Sequence, residues 1–189
     1  MQILHFGNVA ALVDCVPENH GCESGDIEDA LWYVLGTGVP KADDYPYQAR
    51  TGVCRRTVQP YARIPRFAPV QRADLEAYLE RSPLTTLMYF PPILQHYVSG
   101  VFDSPDCEIN SIEDTNHAVV IVGHYRDSWI LRNSAGSQWG LNGHFLVKKG
   151  RCGIGLSSFE VHAPYHVLRT PKGSLVPESH EWSATGRVT

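Results

Sequence analysis

Two residues of the sequence have the makings of proton-transfer chemistry. His117 follows Asn116 at the mouth of an apolar run, residues 118–122, which Gly123 ends. A second run, residues 128–131, delivers Asn133 into a turn rich in Gly and Trp. Two short β-branched runs joined by a polar connection read as neighbouring strands of a hairpin, so His117 and Asn133 can meet in space. An Asn at one imidazole nitrogen orients the ring and frees the other nitrogen to move a proton. Such a pair ordinarily serves a nucleophile, which has to be sought elsewhere.

The bulk numbers set the frame. A chain of 189 residues is one domain or two small lobes, with enough length for a real core. Hydrophobic residues at 43% and charged residues at 19% describe a globular chain and exclude disordered or collagenous ones. A net charge of −4 without a basic block argues against nucleic acid as a partner. No apolar run approaches the length of a membrane span, and residues 1–6 lack the basic start and long apolar stretch of a signal peptide.

The elements that would position the pair follow from periodicity. Residues 1–14 are weakly amphipathic. Residues 24–38 read as a helix with Ile27, Leu31, Val34 and Leu35 on one face, Ser24 or Asp26 as cap, and Gly36 and Gly38 as stop. Residues 39–66 are loop-rich. A short helix is predicted over 73–81, with Leu75, Tyr78 and Leu79 inward. Strands are predicted over 84–89, 143–148 and 158–163 around the central hairpin, and Phe90-Pro91-Pro92 breaks the first of them. Helices first and strands second argue for an α+β protein, with a helical lobe preceding an antiparallel β lobe.

Five cysteines stand at 15, 22, 54, 107 and 152, an odd number that leaves one without a partner in the chain. No C-x-x-C pair marks a structural zinc site. His162 and His166 have a helical ligand spacing, but Pro164 interrupts the helix, so no metal is expected.

Short stretches spread through residues 12–164 carry a resemblance. They are L-V-D-C ending at Cys15, G-C-E-S-G around Cys22, Y-P-Y from Tyr45, S-G-V-F ending at Phe102, N-H-A-V-V-I-V-G from Asn116, W-I-L-R-N-S-A-G-S-Q-W-G-L-N-G from Trp129, and C-G-I-G-L-S-S-F from Cys152. In order and spacing the chain resembles the papain-like, cathepsin-type cysteine peptidases. The resemblance implies a two-lobe fold, with a partial helical lobe over 1–82, a β-barrel-like antiparallel lobe over 83–164, and a polar extension over 165–189. It implies Cys15–Cys54 and Cys107–Cys152 bridges, with Cys22 unpaired in this chain. His117 becomes the general acid/base and Asn133 its orienter. Ser24, Gly25, Asn116, Trp139 and Ser157 become substrate-binding positions, with Ser157 at the floor of an open apolar specificity pocket. No cofactor is implied.

The chain departs from the family's pattern in ways that bear on activity. The C-G-S-C-W segment carrying the nucleophile is not among these residues, nor is the helix whose N-terminus would lower the thiol pKa. In the family Cys22 bonds a cysteine just before the nucleophile; beside Glu23 it has nothing to activate it as a substitute. Ala135 stands where the family usually has a Trp covering the Asn–His hydrogen bond, and Ser24 stands where it has Gly. His117 and Asn133 could therefore persist only as a vestigial, mutually satisfied buried pair.

The reading these residues favour is an inactive papain-fold chain, a structural or binding subunit of a larger assembly. A protein partner would cover the face left by the missing helix, and the tail. The alternative is the C-terminal part of an active endopeptidase with its nucleophile on another chain or truncated away, with a peptide as substrate only in that completed form. A cleft that binds peptides or inhibits without chemistry is a third. The bridges point to a secretory, lysosomal or extracellular setting.

Overall fold

The structure, a computed structural model, describes residues 9–163 and the backbone of 165–169 and 175–177. Residues 1–8 of the amphipathic opening, the side chain of His166 and most of the tail lie outside the described residues. The described chain divides into two compact units. One holds the residues up to Pro65 together with those from Ala163 on, and the other is Arg66–His162.

The first unit packs two helices, α1 (Val9–Cys15) and α2 (Ile27–Gly36), with a small sheet. Asp26 caps α2: its carboxylate accepts the Glu28 N–H at 2.7 Å. At the other end Thr37 and Gly38 both donate to the Tyr33 carbonyl. Gly38 sits at φ 84°, where a Cβ would lie 2.8 Å from the Ala62 carbonyl oxygen, so only glycine closes this helix. We expect Asp26→Ala to cost about 1 kcal/mol of stability, read as a lower urea midpoint with unchanged slope.

Tyr45 anchors the unit's core with Ala10, Ala11 and Cys15. Its hydroxyl donates to Asp14 at 2.9 Å, while the other Asp14 oxygen accepts the Gly52 N–H at 2.6 Å. A disulfide joins Cys15 to Cys54, with Cα atoms 4.8 Å apart. Strand β1 (Ala62–Arg63) pairs with β9 (Tyr165–Arg169), which pairs with β10 (Leu175–Pro177). The start of the polar extension thus takes part in a sheet.

The second unit is built on a seven-stranded sheet. In chain order its strands are β2 (Phe67–Pro69), β3 (Leu84–Met88), β4 (Val101–Phe102), β5 (His117–Tyr125), β6 (Ser128–Arg132), β7 (His144–Lys148) and β8 (Ser158–Val161). Their spatial order is β2-β8-β3-β5-β6-β7-β4. Every pair is antiparallel except β4–β7, which is parallel. The sheet does not close into a barrel, because its two edges are strands of three and two residues at opposite ends of the order.

Strand β3 shows the period of two: Leu84, Thr86 and Met88 are buried while their neighbours are half-buried. Thr86 is the polar exception, and its hydroxyl donates to the Ser157 carbonyl and accepts from Ser158. Helix α3 (Leu75–Leu79), entered through a 3₁₀ turn at Arg72–Asp74, buries Leu75 completely against the same core. Ile121, Leu131, Phe145, Val147 and Ile154 fill that core. The Cys107–Cys152 disulfide, fully buried, ties the 3₁₀ turn Pro105–Cys107 to the approach of β8. In the β5–β6 pair the register shifts between Ile121 and Gly123, a β-bulge at Val122.

Candidate active site

His117 is the first residue of β5, and its register partner on β3 is Met88. Just before it, the Asn116 N–H donates to the Met88 carbonyl at 3.0 Å. The Asn116 side chain clamps the chain beyond β3: its Oδ1 accepts the Phe90 N–H at 2.7 Å, and its Nδ2 donates to the Phe90 carbonyl at 3.4 Å. The start of β5 is therefore fixed by main-chain pairing and by a side chain that spans two strands. Asn116 is itself exposed, so these bonds hold the two segments in place at modest net energy.

Asn133 follows β6 directly and opens the turn into β7. Its N–H donates to the Gly143 carbonyl at 2.9 Å, so the turn closes on its own first residue. Its Oδ1 accepts two hydrogen bonds, from the Ser134 N–H at 2.8 Å and from His117 Nε2 at 2.9 Å. With both lone pairs engaged the amide cannot flip, and the Nε2 of His117 must carry the proton it donates. The neutral ring then presents Nδ1 as a base. The pair joined by sequence reasoning is thus joined in space, by a bond of ordinary length.

The turn itself needs a special backbone at Gly140. Its φ is 56°, and a Cβ there would stand 2.6 Å from the His144 carbonyl oxygen and 3.1 Å from the Tyr97 ring. That geometry carries Trp139 inward, where Nε1 donates to the Gln95 carbonyl at 2.9 Å. The indole meets Phe145 edge-on at 5.3 Å between centroids, Tyr97 at 5.7 Å and Phe90 at 6.2 Å. Trp139 is a support of the site, packed and hydrogen-bonded. Tyr97 donates from its hydroxyl to the Gly100 carbonyl at 2.6 Å and accepts the Leu146 N–H. Burial raises its phenol above the ordinary value and the Leu146 hydrogen bond pulls back, so it stays a donor at neutral pH.

The other positions of interest distribute as follows. Ser157 stands just before β8, with its carbonyl accepting from the Leu87 N–H at 3.0 Å and from Thr86. Leu87 pairs with Ala118, the residue after His117, so Ser157 belongs to the same sheet two strands away. Ser24, Gly25 and Cys22 belong to the other unit. There the Ser24 hydroxyl lies 3.2 Å from His20 Nδ1, and Gly25 leaves no room for a side chain beside Asn19. Cys22 is exposed and its thiol is in no disulfide. Ala135 is exposed on the turn after Asn133.

Sequence reasoning passed over Phe90. Its ring lies against the His117 imidazole, 4.8 Å between centroids at 59°. In the sequence it stands only as part of a strand-breaking Phe-Pro-Pro. No local signal in the sequence marks it; its place follows from lying two residues past Met88, the register partner of His117. Among the described residues no group of His, Cys, Asp and Glu is arranged to hold a metal ion.

Comparison with known proteins gives one family. Residues 8–162 match the family described as papain family cysteine protease. Cathepsin L 2 of Paramecium tetraurelia is 38% identical over 150 residues, covering 76% of this chain and 45% of that protein. Pro-cathepsin H of Mus musculus is 34% identical over 157 residues, covering 76% and 47%. The chain thus spans about half the length of these relatives. Among solved structures, procathepsin L2 from the larval midgut of Tenebrio molitor superposes with a TM-score of 0.75 at 29% identity, over 84% of this chain and 53% of that one. The bromelain protease from Ananas comosus, in complex with the E64 inhibitor, superposes with a TM-score of 0.73 at 28% identity, over 85% and 79%.

Proposed function

Since this chain belongs to the papain family of cysteine proteases, we propose that it is the base-and-orienter part of a cysteine endopeptidase, its nucleophilic thiol coming from a segment outside residues 1–189. The observation that carries this is the 2.9 Å hydrogen bond from His117 Nε2 to Asn133 Oδ1, which leaves Nδ1 free for the thiol. In that reading the thiol gives its proton to Nδ1, and the thiolate sulfur attacks the carbonyl carbon of a peptide bond. The imidazolium then returns the proton to the leaving amine as the C–N bond breaks, and a thioester remains. Water, giving its proton to His117, attacks the thioester and releases the acid and the thiol. Asn133 holds the ring through both half-reactions. The two disulfides support an oxidising compartment, and the exposed Cys22 supports a bridge to the segment that carries the nucleophile.

A second reading keeps one observation on its side. With Ala135 on the turn, the chain lacks the indole that the family usually places over this hydrogen bond, which favours an inactive binding or structural subunit with a protein partner. Two measurements on the native protein separate the readings. Non-reducing mass spectrometry should find Cys22 bonded to a second peptide containing C-G-S-C-W. A thiol-directed peptidase probe should label the assembly, and His117→Ala should abolish the labelling. A free Cys22 with no labelling would sink the peptidase reading.

A further inference from the structure

We propose that Phe90 is a positioning residue for His117, its ring keeping water from the His117–Asn133 hydrogen bond. Three observations lead there. The ring lies 4.8 Å from the imidazole and is itself braced by Phe145 at 6.1 Å and Trp139 at 6.2 Å. Its backbone is held on both sides, N–H and carbonyl, by the side chain of Asn116, the residue preceding His117. Pro91 and Pro92 follow at once and stiffen the exit. A half-buried aromatic fixed so thoroughly beside an imidazole does more than fill space.

Ala135 leaves the need for such a cover. It follows Asn133 by two residues, is exposed, and is a single methyl group, so position 135 has no side chain to lay over the bond. A hydrogen bond open to water exchanges its proton readily and is weak; one with water excluded is stronger and better aligned. Phe90 comes from the opposite direction, off the end of β3, and reaches the imidazole from the strand that pairs with β5. The aromatic cover has in effect moved from the turn to the neighbouring strand. The two positions are coupled: a large side chain at one makes a large side chain at the other unnecessary.

This inference rests on reading His117 as base and Asn133 as orienter, but its test follows the imidazole proton and needs no peptide hydrolysis. Either can therefore fail alone. The measurement is solvent exchange of the His117 Nε2–H proton, by nitrogen-15 NMR on the whole chain labelled at histidine. In the unaltered protein the proton should be observable. Phe90→Ala should speed its exchange by about tenfold or more, and Ala135→Trp on that background should bring the rate back to within about threefold. Ala135→Trp alone, on an exposed turn where it leaves folding intact, should change the rate by less than about twofold, because the bond is already covered. Three results would overturn the proposal. The first is an Nε2–H too fast to observe in the unaltered protein. The second is exchange unmoved by Phe90→Ala in a chain that keeps its sheet amide spectrum. The third, which needs no Phe90 variant, is slowing by about tenfold on Ala135→Trp alone.

Discussion

Phe145→Ala should lower the stability of the sheet unit by about 3–5 kcal/mol, the largest single-residue loss expected in this chain. Phe145 is fully buried in β7 and is the residue on which the aromatic cluster converges: Trp139, Tyr97 and Phe90 all touch its ring. Truncation removes apolar area and leaves a cavity under three large side chains that cannot all move in to fill it. Trp139 is held by its bond to Gln95, Tyr97 by its bond to Gly100, and Phe90 by Asn116. Those tethers are why the site cannot collapse cheaply, and why the cost belongs at the upper end for such substitutions. Urea unfolding would check it, with a lower midpoint at unchanged slope. A loss below about 1 kcal/mol would show that the cluster rearranges freely, and the support ascribed to it would be wrong.

The second large effect concerns the buried disulfide of the sheet unit. Replacing Cys107 and Cys152 together by Ala should cost about 2–4 kcal/mol, the upper figure following from the entropy of freeing so long a loop. The bridge spans 45 residues of sequence and both sulfurs lie in the core. Alanine is the better test than serine, since a pair of buried hydroxyls would add an unsatisfied-group penalty of its own. The loss should reach the candidate site as well. The Cys152 carbonyl accepts the Tyr89 N–H at 2.9 Å, and Tyr89 immediately precedes Phe90. Thermal unfolding of the double variant beside the parent chain, both without reductant so that the Cys15–Cys54 bridge stays intact in each, should show the loss as a lower midpoint. An equal midpoint would show that the bridge contributes nothing.

Much of the sheet was legible because its pattern is local. The period of two in β3, the β-branched runs of β5 and β6, and the break at Phe90-Pro91-Pro92 are all properties of a few adjacent residues. The helix around Leu31 was legible for the same reason, its ends set by Asp26 and Gly38. What could not be read are pairings whose evidence lies far away in the chain. Ala62 and Arg63 form a strand because Tyr165 and His166 come alongside and Val39 bridges to Ala62, and two residues carry no periodicity. Val101 and Phe102 likewise become an edge strand through Leu146 and Val147. At the site, His117 and Asn133 were found by residue type and by their places at strand ends. Phe90 was not, since an aromatic before two prolines looks the same whether it stops a strand or leans on an imidazole. Only the β3–β5 register distinguishes the two.

The bulge at Val122 has a consequence for where the imidazole can be. In the half of β5 next to the site, the residues on the side of Leu131 carry odd numbers, from His117 through Val119 to Ile121. Past the extra residue, the residue opposite Trp129 is His124, and the parity has changed to even. The hairpin is thus two segments counted from different origins. The tip takes its count from the turn at Arg126 and Asp127, and the base takes its count from β3. Lengthening or shortening the tip would alter the first count and leave the second alone. The location of His117 is therefore written by a strand that never meets the tip of its own hairpin.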